Sequence, residues 1–198
     1  MATIKKLNIK QLLKKNFTNS KALQNLAYGA AKQKSERLKK EALRELDSHI
    51  VTKEIEKGPS SGGSTLLGGR GNFFGFLGFG RGQQPIEIIR SAFEDHVKIR
   101  NTKGKIKKLS DTSFIWTFDI DIPSMTEIYA VTPLAWSTQS WVRGVEKGIT
   151  NAANTIFMDS ERSRSGAALQ TGRKIGFISF SPTPYITPIL SKLRKELK

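Results

Sequence analysis

Between Gly58 and Pro85 the chain reads GPSSGGSTLLGGRGNFFGFLGFGRGQQP, rich in glycine and yet carrying Phe73, Phe74, Phe76, Leu77 and Phe79. These two properties pull against each other. Glycine leaves the backbone loose, whereas four rings left in water form an apolar patch that something must cover. Any fold for this chain has to give those rings a pocket, and three are open. The segment can insert into a membrane as fusion peptides do, although Arg70 and Arg81 flank it. It can fold back on its own domain. It can thread a gap in a neighbouring subunit and become ordered on assembly. Docking into a neighbour accounts for looseness and anchoring together, and is the expectation for these five residues.

The glycines do not form a nucleotide loop. A P-loop needs Lys and then Ser or Thr after its last glycine, and neither GGRGNFFG nor GFGRGQQP has them. GRGNFFG also has one residue too many for a dinucleotide fingerprint, and no strand leads into it.

The charge is strongly unbalanced: 33 Lys and Arg against 17 Asp and Glu, a formal +16 over 198 residues. A field of this sign calls for acidic partners: nucleic acid, an anionic membrane or an acidic protein surface. Residues 1–57 carry 14 basic and 6 acidic residues. A second cluster is KIRNTKGKIKK, with Lys98, Arg100, Lys103, Lys105, Lys107 and Lys108 and no acid. These six are the candidate contacts to DNA or an acidic surface. The carboxy-terminal SKLRKELK is a third cluster. No window approaches the ~18 apolar residues of a membrane span, so no membrane partner is expected.

Periodicity predicts a long amphipathic helix over residues 20–48, capped by Ser20, with a shorter helix around Ile9–Lys15 before it. Its stripe runs Leu23, Leu26, Ala27, Ala30, Ala31, then Leu38, Ala42, Leu43 and Leu46. The small residues of the first half permit close approach of another helix. PIEIIRSAFEDHV predicts a helix with Pro85 in its first turn. The period then changes to two. HVKIRN and KIKKLS flank TKG, which reads as a hairpin turn at Gly104. TSFIWTFDID reads as a strand with Phe114, Trp116, Phe118 and Ile120 on one face. EIYAVTPLAW suggests a further strand, STQSWVRGVEKGITNAANTIF a middle helix weakened by Gly144 and Gly148, and MDSERSRSGAALQTGRK a loop. IGFISFSP suggests a last strand, and the chain closes on a helix near Pro184. The fold class is α+β: a small antiparallel sheet with a long amino-terminal helix, a middle helix and a closing helix. The expected organisation is a helical arm (1–57), a Gly/Phe-rich loop (58–85) and an α+β core domain (86–198).

The residues make no positive case for an enzyme. His49 and His96 have no companions at metal-ligand spacing, and no cysteine exists to act as nucleophile or ligand. Asp119 and Asp121 fall on one strand face, where they can hold a cation or serve in hydrolysis, but a polar sheet face is the simpler reading. Catalytic residues, metals and cofactors are therefore expected to be none. Trp136 and Trp141 flank STQS as core residues or as interface anchors.

The element order and PYITPIL, Pro184–Leu190, resemble the neck or tail-completion proteins of tailed bacteriophages, in which a similar motif introduces the closing helix. IYAVTP, Ile128–Pro133, resembles the segment before that family's middle helix. The resemblance covers about the last two-thirds of the chain. SHIVTKEIEKG departs from the family at the end of the first helix. It implies a non-enzymatic structural protein of the virion, assembled in the host cytoplasm at the head–tail junction. Its partners would be copies of itself in a hexameric or dodecameric ring, adjacent portal, neck or tail proteins, and DNA in the channel. Tyr185 and Leu190 would then join Phe73, Phe74, Phe76, Leu77, Phe79, Trp136 and Trp141 at subunit interfaces. The alternative is a basic nucleic-acid-binding module gripping phosphates through the Lys98–Lys108 cluster. A hydrolase using Asp119 and Asp121 ranks last.

Overall fold

Helix α1 runs Lys21–Ser48, 28 residues, and begins where Ser20 accepts a long hydrogen bond from the Leu23 N–H at 3.5 Å. Only the second half of its apolar stripe is covered. Leu38, Ala42 and Leu46 are buried, while Leu23 and Leu26 are 37% and 73% exposed. The computed structural model describes residues 20–108, 114–134, 138–149, 155–157, 163–166, 168–170 and 180–197. The short helix expected around Ile9–Lys15 and most of the strand expected over IGFISFSP lie outside them.

The architecture is α+β, and the chain forms two compact units. One comprises Met1–Arg37 with Val97–Asp121, the other Leu38–His96 with Ile122–Lys198. The boundaries expected at residues 57 and 85 are not those of the units, because the Gly/Phe-rich segment is part of the second unit's core.

In the second unit His49 starts helix α2, Ile50–Glu56, its Nδ1 accepting the Val51 N–H at 3.2 Å. A 3-10 turn at Thr65–Leu67 and a single helical turn, α3, at Phe73–Phe76 lie within the glycine-rich stretch. Helix α4, Pro85–His96, buries Ile86, Ile89 and Phe93. Helix α5 spans Met125–Val131, where a strand was expected. Local chemistry explains the difference. The Ser124 hydroxyl accepts the Glu127 N–H and the Glu127 carboxylate accepts the Ser124 N–H, a reciprocal capping box that commits the segment to a helix.

The expected middle helix is shorter than its apolar pattern. Helix α6, Trp141–Lys147, stops at Gly148 (φ 104°), and Thr155–Phe157 is a strand that pairs antiparallel with Ala168–Gln170, inside the expected loop. Helix α7, Ile186–Glu196, buries Ile186, Ile189, Leu190 and Leu193. Its first turn is held by Glu146 of α6, which accepts the Thr187 N–H at 2.7 Å and the Thr187 hydroxyl at 2.8 Å. A carboxylate at that end satisfies free N–H groups and opposes the helix dipole.

In the first unit, strands β1 (Lys98–Ile99) and β2 (Lys105–Lys108) do not pair with each other. β2 pairs with β3, Phe114–Thr117, in the register Lys105↔Thr117 to Lys108↔Phe114, and β1 pairs with β4, Ile120–Asp121. The outgoing strand is thus interrupted around Gly104 rather than turned back there. Gly104 does take the expected positive φ, 64°. A Cβ at Gly104 would lie 2.8 Å from Cε1 of Phe118, whose ring packs on Tyr28 of α1 with centroids 6.1 Å apart.

Candidate functional site

Asn72 organises the Gly/Phe segment. Its Oδ1 accepts the Gly75 N–H at 2.6 Å, capping α3. Its Nδ2 donates to the carbonyls of Gly58 and Ser61, at 2.6 and 2.7 Å. One buried side chain therefore ties the start of the glycine loop to the turn that carries the rings. Gly75 sits where any larger residue would crowd its neighbours: a Cβ there would meet Ser165 Oγ at 3.1 Å and Ala168 Cβ at 3.2 Å.

The rings pack within the second unit. Phe73 and Phe76 meet Phe180 at 5.6 and 5.9 Å, Phe74 meets Phe79 at 5.3 Å, and Phe79 stands edge-on to Trp141 at 5.6 Å. Trp141 contacts Tyr185, which lies against His49 at 4.8 Å. Phe73, Phe74, Phe76, Leu77 and Phe79 are all buried. This corrects the expectation that these side chains wait for a neighbour: positive-φ glycines let the segment fold back, and Asn72 holds it there. Trp141, Tyr185 and Leu190, also expected at an interface, are core residues with at most 1% of their surface exposed. Trp136 lies outside the described residues.

The basic cluster is on the surface. Lys98, Arg100, Lys103, Lys105 and Lys107 are exposed, and Lys108 ends β2. Arg100 pairs with Asp121 at 2.8 Å and Lys105 with Asp119 at 2.9 Å. The two aspartates that suggested a hydrolase therefore act as counter-ions to their own strand partners. Among the described residues no group of three or more His, Cys, Asp or Glu is placed to hold a metal ion, and no helix is long and apolar enough to cross a membrane. Two clefts of about 410 Å³ each flank Gln83–Pro85. The charged groups of one, Glu56, Glu87 and Arg90, are already joined in ion pairs. The other is largely apolar, lined by Ile88, Val131 and Trp141 among others.

Among its described residues the helix–hairpin unit buries little apolar surface. Of the buried apolar side chains only Val97 belongs to it among the described residues. Leu23, Leu26, Ile106 and Ile115 are exposed large hydrophobics. Helical periodicity puts Leu23, Leu26 and Ala30 on one stripe of α1, about half a turn from Tyr28. The pattern of alternating apolar residues did not reveal that this stripe stays bare.

Burial lowers the pKa of His49 below its usual 6.5, outweighing the Pro184 carbonyl and Glu146, which both favour the charged form. The unfolded chain therefore takes up a proton that the native imidazole resists, and stability falls as pH drops below about 6.5. Thermal unfolding between pH 7.5 and 5.5 should show Tm decreasing over that range. His49→Asn, which keeps a capping acceptor without a titrating ring, should flatten the dependence. An unchanged slope in the variant would assign it elsewhere.

No protein-family model, curated protein or solved structure matches this chain.

Proposed function

We propose that this chain is a structural, non-enzymatic virion protein of a tailed bacteriophage, forming a ring at the neck and bound to adjacent portal, neck or tail proteins. The observation that carries the reading is the bare Leu23–Leu26–Ala30 stripe on a unit that buries only Val97 among its described apolar residues. A helix with 73% of Leu26 exposed is completed by packing against another polypeptide. Small residues beside the two leucines suit a second helix at close range. The order of long helix, antiparallel strands, middle helix and closing helix also supports the resemblance to neck proteins. The first helix, the Gly/Phe segment and the closing helix were all expected as contact arms; the Gly/Phe segment instead builds the protomer, which leaves the amino-terminal helix to join protomers.

Light scattering on the purified chain should give a mass several times the protomer's 22.0 kDa, and the double variant Leu23→Lys, Leu26→Lys should fall towards the protomer mass with an unchanged Tm of the second unit. A concentrated wild-type solution that remains monomeric, or a double variant that assembles normally, would overturn the reading.

A further inference from the structure

We propose that the helix–hairpin unit grips the phosphate backbone of double-stranded DNA without reading its sequence. The proposal does not rest on the assembly reading, because it uses the opposite side of α1. Within Met1–Arg37 and Val97–Asp121 the sequence has 15 basic and 4 acidic residues, a net +11, against 18 and 13, a net +5, in the rest of the chain. More than two-thirds of the net charge thus resides in less than one-third of the residues. Self-repulsion on that scale is relieved by a polyanion.

The cations are placed to meet one. Lys21, Lys32, Lys98, Lys103 and Lys107 are exposed, and none forms an ion pair among the described residues. Lys105 and Lys107 point from one face of β2, since side chains alternate along a strand. The hairpin is fastened to α1 through Phe118 on Tyr28. Helical spacing puts Lys21, Asn25 and Lys32 on the same stripe as Tyr28. The register places Lys105 and Lys107 opposite Thr117 and Ile115, on the hairpin face away from Phe118, so the hairpin presents its lysines outward while α1 carries Lys21 and Lys32 beside Tyr28.

Duplex DNA fits this arrangement better than an acidic protein. A protein partner needs an apolar centre ringed by charge, and the Tyr28 stripe offers lysine, asparagine and glutamine around its one ring. A phosphate backbone needs closely spaced point charges and little else, which lysines provide.

The test is fluorescence anisotropy of the full chain with a duplex of about 25 base pairs, at salt from 50 to 300 mM. About five phosphate contacts predict a slope of log K against log salt near −4.5. Lys103→Ala with Lys107→Ala should weaken binding about 10- to 100-fold at 100 mM salt and make the slope shallower by about two. Lys195→Ala, on the exposed side of α7, should change affinity less than twofold. Near-native far-UV circular dichroism of the double variant keeps a folding defect from imitating the result. No binding at 50 mM salt, or a slope that the double variant leaves unchanged, would remove the proposal. Equal affinity for polyglutamate at the same salt would replace DNA by an acidic protein as the partner.

Discussion

Phe76→Ala is expected to destabilise the protomer by about 3–5 kcal/mol, the usual cost of emptying a fully buried phenylalanine site. The ring is 2% exposed and packs on Phe73 and Phe180, with centroids 5.9 Å away in both cases. Deleting it removes apolar burial worth about 1.5–3 kcal/mol and two aromatic contacts worth roughly 0.5–1.5 kcal/mol each. Its neighbours cannot collapse into the space freely, because there is no room beside the turn: a Cβ at Gly75 would lie 3.1 Å from Ser165 Oγ and 3.2 Å from Ala168 Cβ. At this chain length each kcal/mol shifts Tm by about 2–4 °C, so calorimetry should show a fall of roughly 6–20 °C. The same variant separates the two roles open to the segment. A core ring lowers Tm at every protein concentration. A ring that joins subunits would instead leave the protomer's Tm unchanged and lower the assembled mass.

The opposing demands of glycine and phenylalanine were plain from residues 58–85, but their resolution was not. Apolar content requires that the rings be covered and is silent on which chain covers them. The deciding residue, Asn72, is a single amide whose partners lie 11 and 14 residues back, and no local pattern announces bonds of that range. The helices over Lys21–Ser48, Pro85–His96 and Ile186–Glu196 were legible because each repeats its apolar stripe over three turns or more. Met125–Val131 was misread because two turns of helix look much like a strand until Ser124 and Glu127 are seen as a capping pair. Gly148 ended the middle helix where the apolar spacing alone would have continued it. For the candidate site, the run of charge pointed to a surface, and Lys98, Arg100, Lys103, Lys105 and Lys107 are exposed. Burial removed the rings from the expected interface and left the helix, since a stripe of alanine and leucine reads the same whether a partner comes from its own chain or from another.

Asn72→Ala is expected to cost about 2–4 kcal/mol, more than a helix cap alone. Loss of an N-cap is worth about 1 kcal/mol, yet this side chain also serves two backbone carbonyls, of Gly58 and Ser61, that lie 2.6 and 2.7 Å from its nitrogen. At a residue only 3% exposed, water does not readily replace those bonds, and each polar group left buried without a partner costs about 1–3 kcal/mol. Asn72→Asp makes the argument specific. Aspartate is as good an N-cap as asparagine and would still accept the Gly75 N–H, so a residue that only caps α3 would tolerate it. Here the second oxygen would face the Gly58 and Ser61 carbonyls with no proton to offer, the Ser61 hydroxyl, 2.8 Å from the present nitrogen, being the one group able to turn and donate to it, and a buried charge would be added. Aspartate should therefore be at least as destabilising as alanine at neutral pH, and part of its deficit should be recovered at acidic pH as the carboxyl gains a donor proton. Limited proteolysis gives an independent readout, with cleavage between Gly58 and Asn72 accelerated in both variants. An aspartate variant as stable as the wild type would show that Asn72 caps the turn without stapling the loop, and the glycine segment would then need another anchor.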